Sequence, residues 1–597
     1  MPSLRIHPAI GVARLGNSQQ SFVGPEEPGI PGNWDSGAQR FRAFRDEAGK
    51  ILRQAARFRI FQFDDTGNAV KEITLADGVK ITWTVHVANR KASFFTFNGQ
   101  SGAETDPPYT RRAARNPNEV EKEDRGTGQP ERKNLRNPGV AKRSDLEIDP
   151  GPVSISTPGT SELRDSQTPA PIKLLGHIQM ESEGRLLVLG GFGETQFQGP
   201  VPHAIDEYAS NDGWFDDMSD GLVSASVTFP DGHTEEAAQA WVIVGPPKFA
   251  PGICNVVSLY DTVWDLAVRN RMSCQAGNDF TLRDLVAQQQ AWQSTTNDFA
   301  PAYVPSFTQH IYPILSRAFA ARDVHKPPTG FPDYHLTLPD WPRLSQGPDP
   351  QFRQAIFKRI RNPNSNVLDY KNMPRGLGDD YTTLDDFEVN GSPQPSARAF
   401  LSVTQVQYAL LKVWAEGRFT DDWTFGSNVR FAPIPAPSIV TPQGLDQAAL
   451  ENCVGGPFYP GIEVSWLIRH TSLYASAFRL RKAGFLLGPL TFGAGFFSQQ
   501  MALPWQADFY DCHKEEHTPD GSPEPLFYMW WTAQRPDDIR AIAGDNTYRR
   551  WVEPFDAASQ TQDPDDVANL ARFEQMRTRW FELKFVILDG EDFVEEK

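Results

Sequence analysis

Nowhere in the 597 residues does an apolar run approach the roughly 20 positions that a membrane span requires. The opening Met1-Pro2-Ser3-Leu4-Arg5-Ile6-His7-Pro8 lacks the apolar centre of a secretory signal, so the expected location is cytoplasmic, or exported without a recognisable signal peptide. Cysteine is scarce. Cys254, Cys274, Cys453 and Cys512 are too few for a disulfide scaffold, and no two of them form the C-x-x-C pair of a thiolate metal knuckle. Positive charge is outweighed, at a net −17, which repels phosphate backbones and argues against nucleic acid while mildly favouring cationic ligands such as amines. The G-x-S-x-G elbow, the G-x-x-x-x-G-K-S/T loop and the H-E-x-x-H helix are all missing. Gly190-Gly191-Phe192-Gly193 follows a strand-like run but does not complete the dinucleotide fingerprint. Redox chemistry, if this chain performs it, needs a cofactor other than NAD, FAD or ATP-type ligands.

Proline and glycine are plentiful, at 49 and 46 residues, and predict a large loop share in a chain long enough for two to four folding units. Val79-Lys80-Ile81-Thr82-Trp83-Thr84-Val85-His86-Val87 alternates apolar and polar side chains as a half-buried strand does. Leu186–Leu189 and Ala240–Val244 read as short buried strands, whereas residues 101–150 read as a polar, proline-broken surface excursion. Helical spacing begins near residue 251, over Val256–Arg269, Phe280–Gln293, Phe352–Arg361 and Ala397–Trp414, the last with Ser396 as its expected N-cap. A final helix is expected over Asp565–Trp580, followed by a strand at Phe585–Leu588. The fold class is α+β: a β-rich N-terminal domain over residues 1–250, a mainly helical region over 251–430, and a mixed C-terminal region over 431–597.

Several segments concentrate chemistry. His7 beside Pro8 reads first as a packed turn residue. Asp212, Asp216, Asp217 and Asp220 lie in one turn without EF-hand spacing, and are read as caps for backbone N–H groups rather than metal ligands. Cys453 precedes the Gly455-Gly456-Pro457 turn. Cys512 closes Leu503-Pro504-Trp505-Gln506-Ala507-Asp508-Phe509-Tyr510-Asp511-Cys512. Two carboxylates near that thiol raise its pKa, which disfavours a thiolate nucleophile; such a thiol is either a buried structural cysteine or one that becomes cross-linked. A hydrolase using Cys512 with His513 is disfavoured, because adjacent residues of a strand face opposite ways.

Taken in order, these segments resemble those of the LodA-like quinoprotein family of L-lysine 6-oxidases and glycine oxidases. The likeness runs through Ile6-His7-Pro8-Ala9-Ile10-Gly11-Val12-Ala13-Arg14-Leu15-Gly16-Asn17-Ser18, Asn211-Asp212-Gly213-Trp214-Phe215-Asp216-Asp217 and Val257-Ser258-Leu259-Tyr260-Asp261. It continues through Asn452-Cys453-Val454-Gly455-Gly456-Pro457-Phe458, Leu503–Asp508, Trp531-Thr532-Ala533-Gln534-Arg535-Pro536 and Trp580. The resemblance implies a self-derived cysteine tryptophylquinone, with the sulfur from Cys512, the indole from Trp580 and Asp508 as the catalytic carboxylate. Trp530 and Trp531 are the competing indoles. Cys453, Phe215 and His203 are candidate substrate-pocket residues, and no metal is expected. The implied reaction is oxidative deamination of an amino acid or primary amine by O2, giving aldehyde or oxo acid, ammonia and H2O2. A flavoprotein maturation partner and a homo-oligomer are implied as well. The chain departs from the family pattern at His513–Phe527, which is longer and more charged, and at Phe215, where a tyrosine hydroxyl is expected. The rival reading is an inactive member serving as a binding or structural protein.

Overall fold

In the computed structural model, residues 3–94, 135–206, 208–275, 277–326, 340–346, 349–365, 373, 401–425, 440–456, 462–487, 490–512, 515–517, 526–528, 531–540, 542, 547–551, 567–590 and 592–596 are described. From Ser3 to Gly245 the elements are almost all strands. Nine of them lie side by side in the order 159–164, 174–180, 186–190, 53–63, 10–14, 240–245, 219–228, 80–88 and 153–155. Neighbours are antiparallel except that Ala240–Gly245 runs parallel to Ile10–Arg14. Short strands at 3–7, 21–23 and 69–73 add to Arg53–Phe63, and one at 234–236 adds to Ser219–Thr228. The alternating run is the strand Lys80–Ala88, with Ile81, Trp83, Val85 and Val87 buried.

Both faces of the central strands are covered, which is why Ala240–Gly245 is buried throughout. The pleat sends successive side chains to opposite cores. Val242 and Val244 join one core, with residues of the C-terminal segment including Trp505, Phe509, Cys512, Trp531 and Trp580. Trp241 and Ile243 join the other, with the helices Leu259–Arg269 and Gln405–Ala415. The C-terminal segment and the helices thus grip the sheet from its two sides.

Helices begin where side chains can cap them. Ser258 and Asp261 form a reciprocal capping box on Leu259–Arg269. The helix expected from residue 397 starts at Gln405, capped by Thr404; Ser396 lies outside the described residues. The helix at Val567–Arg579 and the strand Val586–Asp589 match the expected C-terminal pair within two residues. Of the polar stretch 101–150, residues 101–134 lie outside those described. The rest is docked: Arg136 is fully buried and donates to the carbonyls of Lys91, Ala209 and Met501. Among the described residues no helix is long and apolar enough to cross a membrane.

Candidate active site

The segment Trp505–Asp511 is a short helix, and Cys512 is its C-cap rather than a strand residue. Side chains four apart share a helix face, so Asp508 and Cys512 meet: the Cys512 thiol donates to Asp508 Oδ1 across 2.8 Å. Asp508 is 1% exposed and Cys512 5%. Burial pushes the Asp508 carboxyl well above the usual carboxylate range, against the opposing pull of the thiol hydrogen bond, Lys91 and Arg535. Burial first, and Asp508 second, push the Cys512 thiol up too. The pair therefore holds a proton at neutral pH, and Cys512 is a thiol, as its acidic neighbours imply.

Groups distant in sequence fix this helix. At its N-terminus, Asp216 Oδ2 accepts from the Trp505 amide at 3.0 Å and from Lys91 Nζ at 2.7 Å, with both ionic side chains fully buried. Lys91 also donates to the Ala502 carbonyl. Asn211 Nδ2 donates to the Leu503 carbonyl. At its C-terminus, the buried guanidinium of Arg535 donates to the carbonyls of Phe509 and Tyr510, placing a cation at the negative end of the helix. The acidic turn is thus a scaffold. Asp212 accepts from the Asn137 amide, Asp217 from Gly193, and Asp220 from Phe497 and Ser498. Among the described residues no cluster of potential ligands suits a metal ion.

Trp580 opens a one-turn 3-10 helix at the end of Val567–Arg579 and is 3% exposed. Tyr510 packs on Phe573, with ring centroids 4.5 Å apart, and brings the two helices together. Trp580 meets Trp505 edge to face at 5.3 Å and shares an apolar core with Cys512, Phe509 and Phe215. Its ring edge abuts the Gly190-Gly191-Phe192-Gly193 turn. A Cβ at Gly193, whose φ is +73°, would lie 2.2 Å from Trp580 Cζ2 and 3.0 Å from Cη2. Gln506 holds that turn by donating to the Gly193 carbonyl and accepting from the Thr195 hydroxyl.

The other candidates are dispersed. Phe215 is buried on the strand Trp214–Asp216, within the core that holds Trp580. His203 is exposed, its ring 5.1 Å from Phe197, which packs on Trp214. Cys453 is buried in the opposite core, its thiol pushed up by burial. Trp531 is 1% exposed in the same core as Trp580; Trp530 and His513 lie outside the described residues. His7 is a buried packing residue, bonded to Asp446 at 3.0 Å and to Arg479 at 3.1 Å. Sequence reasoning misses Lys91 and the partners of Gly193 and Arg535, whereas Asp217 is read there as a cap for backbone N–H groups and accepts from Gly193. Arg535 stands in a recognised motif and Gly193 in a glycine-rich turn, but nothing local says what either touches.

Comparison with known proteins bears on the family and the fold. The family model described as L-lysine epsilon oxidase N-terminal matches residues 7–244, and that described as L-lysine epsilon oxidase C-terminal domain matches 386–531. The L-lysine 6-oxidase of Marinomonas mediterranea is 30% identical over 576 residues, covering 85% of this chain and 71% of that protein. The solved structure of L-Lys epsilon-oxidase from the same organism has a TM-score of 0.70 at 24% identity. That of its Schiff base intermediate with L-Lys has a TM-score of 0.72 at 23% identity. Each covers 100% of this chain and 94% of the other, a likeness that speaks for the fold. With both family models matched in order and a relative 30% identical over 85% of this chain, the chain belongs to the L-lysine epsilon-oxidase, LodA-like, family.

Proposed function

We propose that this protein is an amino-acid or primary-amine oxidase whose cofactor is a cysteine tryptophylquinone made from Cys512 and Trp580. The observation that carries the reading is the meeting of a buried, proton-holding Asp508–Cys512 pair with the apolar core that contains Trp580. The residues fit the group. A tryptophylquinone carries oxygens on two adjacent carbons of the six-membered ring, and the bare Cα of Gly193 keeps side-chain atoms away from the Cζ2 edge. No described glycine has Trp531 among the three atoms nearest its would-be Cβ, whereas Gly193 has Trp580, which favours Trp580 as the indole.

The quinone supplies an electrophilic carbonyl for the amine nitrogen and a two-electron sink that O2 regenerates. The net change converts amine, O2 and water into aldehyde or oxo acid, ammonia and H2O2. Asp508 is the base. Its raised pKa suits Oδ1 to take the thiol proton during maturation and the proton of the carbon bearing nitrogen during turnover, a role typically worth about 10²–10⁴-fold. Asp508 is 1% exposed, so its carboxyl is kept from water. Phe215, buried in the core that holds Trp580, sets an apolar ring where the family resemblance implies a hydroxyl.

The test is to co-express the chain with a flavoprotein maturation partner, measure the mass of the peptides bearing residues 512 and 580, and screen peroxide release with L-lysine, glycine and other amines. The expected result is a linked peptide pair carrying two added oxygens, a visible absorption band, and peroxide release. Cys512→Ala should lose all three together. Folded protein with unlinked, unoxidised peptides would instead support an inactive binding role.

A further inference from the structure

The turn after the strand Leu186–Gly190 is pressed from two sides. On one side is the edge of Trp580; on the other is Asp217, next to the helix-capping Asp216. A Cβ at Gly191 would lie 2.2 Å from Asp217 Oδ2, as a Cβ at Gly193 would lie 2.2 Å from Trp580 Cζ2. The Gly193 amide donates to Asp217 Oδ2 at 2.8 Å. Asp217 is 1% exposed, and its Oδ1 has no hydrogen-bond partner among the described residues. Two glycines are thus required in one turn, one for a carboxyl and one for an indole, and backbone hydrogen bonds from Gly193 and Glu194 to Asp217 join the two demands.

We propose that Asp217 is a positioning residue for the cofactor: through the Gly193 amide it sets the spacing between the Gly191–Gly193 turn and the Cζ2–Cη2 edge of Trp580. The inference rests on Trp580 being the quinone residue. The edge is the one a tryptophylquinone oxygenates, so the turn must be close enough to fix the ring and bare enough to admit oxygen. A hydrogen-bonded carboxyl behind the turn meets both needs. Its protonation state fits as well. Burial, reinforced by the nearby carboxylates of Asp216 and Glu194 against the amides of Glu194 and Gly193, raises Asp217 to about 8. Arg53, whose charge interacts with Asp217, is itself drawn to the Gly190 carbonyl and His177. A neutral acid one residue from the ring adds no charge to repel the electron-rich oxygens of the reduced cofactor.

Asp217→Ala, Asp217→Asn and Gly193→Ala, each made with the maturation partner, test this. Asp217→Ala removes the acceptor. Amide exchange over residues 190–195 should quicken, the visible band should shift, and kcat should fall by about 10²-fold with KM little changed, the usual cost of misplacing a reacting group by about 1 Å. Asp217→Asn keeps an acceptor oxygen for Gly193 and should restore most of the kcat and the band position. Gly193→Ala, whose methyl occupies the edge, should yield linked peptides short of oxygen. A native band and kcat in folded Asp217→Ala would overturn the proposal, as would Asp217→Asn as defective as alanine. If Asp217→Ala fails to fold, full oxygenation in Gly193→Ala overturns it instead. Wild-type peptides lacking the link and the oxygens would sink the quinone reading and this inference together; mature wild type with an indifferent Asp217 would sink the inference alone.

Discussion

Asp217 holds its proton because burial outweighs the amides that would favour its anion, and that has a consequence for stability as well as for the site. The folded protein keeps the carboxyl protonated up to about pH 8, whereas the unfolded chain releases that proton near the ordinary value of about 4. Between those limits the folded state binds the extra proton. Raising the pH through that window therefore costs stability, by up to about 1.4 kcal/mol per pH unit from this group alone, and the loss levels off above it. Asp217→Asn cannot titrate. Urea unfolding at several pH values from 5 to 8 should give a shallower decline for the variant, and parallel curves would show that Asp217 is ionised in the folded state. Asp508 is a sharper case, since its role is to take a proton. Asp508→Asn keeps the size and a polar contact for Cys512 but cannot accept a proton, so the peptides of 512 and 580 should stay unlinked while the protein folds. Linked peptides at wild-type yield would remove Asp508 from maturation. The residues carrying these arguments are unequally legible in sequence. Asp508 and Cys512 stand four apart and the family resemblance names both, but the helix that puts them on one face is seen only in the fold. Asp217 looks from sequence like one more turn aspartate, and Gly193 like a failed nucleotide loop; their meaning comes from an indole almost 400 positions further on.

At the scale of elements, sequence pattern serves best where an element's stability is local. Lys80–Ala88 alternates, and Leu259–Arg269 carries its own capping box, so both can be read from their residues. The helix Trp505–Asp511 is different. It is seven residues long, too short to be stable alone, and has no side-chain cap of its own. Its amide and carbonyl ends are satisfied by Asp216 and Arg535, contributed by other parts of the chain. That is why the segment shows no helical signal in sequence and Cys512 reads there as a strand residue. The expected start near Ser396 fails for a related reason: two polar residues compete as caps, and Thr404, with Gln407 completing a capping box, begins the helix. Asp216 serves two partners at once, the Trp505 amide and Lys91. Removing it uncaps the helix and strands the fully buried Lys91, so Asp216→Ala should cost about 3–5 kcal/mol, the range for breaking one side of a buried ion pair. Adding Lys91→Met should recover a large part of that loss. Chemical denaturation of the two single variants and the double variant checks it, and additive losses would show that Asp216 and Lys91 stabilise the fold independently of each other.

Across the whole molecule, one problem is solved repeatedly: the catalytic candidates Asp508, Cys512 and Trp580 lie near the C-terminus, while the residues that fix their helix, Lys91 and Asp216, come from the strand-rich N-terminal half, and all must meet in one core. Strand pleating makes this possible, since Val242 and Val244 face that core while Trp241 and Ile243 face the helices on the other side. Arg45 clamps the tail that carries Trp580. Arg45 donates to the carbonyls of Phe581 and Leu583 at 2.7 Å each and pairs with Glu596, while the Val586 amide bonds the Phe249 carbonyl. Phe44 stacks on Phe585 at 4.7 Å beside it. Chain ends fray unless tied down in this way. Arg45→Ala should therefore loosen the tail without unfolding the sheet. Each charged hydrogen bond it loses is worth about 1.5–3 kcal/mol, but the carbonyls freed are near the surface and water recovers part of that. The expected outcome is local: amide exchange quickens over residues 581–596 and stays slow in Arg53–Phe63 and Ser219–Thr228, because opening of a terminal unit need not involve the core strands. The yield of linked 512–580 peptide should fall with it, since Trp580 begins the segment that Arg45 clamps and a ring that wanders spends less time against Cys512 and Gly193. Unchanged exchange in the tail would mean that Phe44, Phe585 and the Val586 hydrogen bond suffice to hold it. Quickened exchange with undiminished linkage would mean that Trp580 is held by its own contacts with Trp505 and the glycine turn, independently of the residues that follow it.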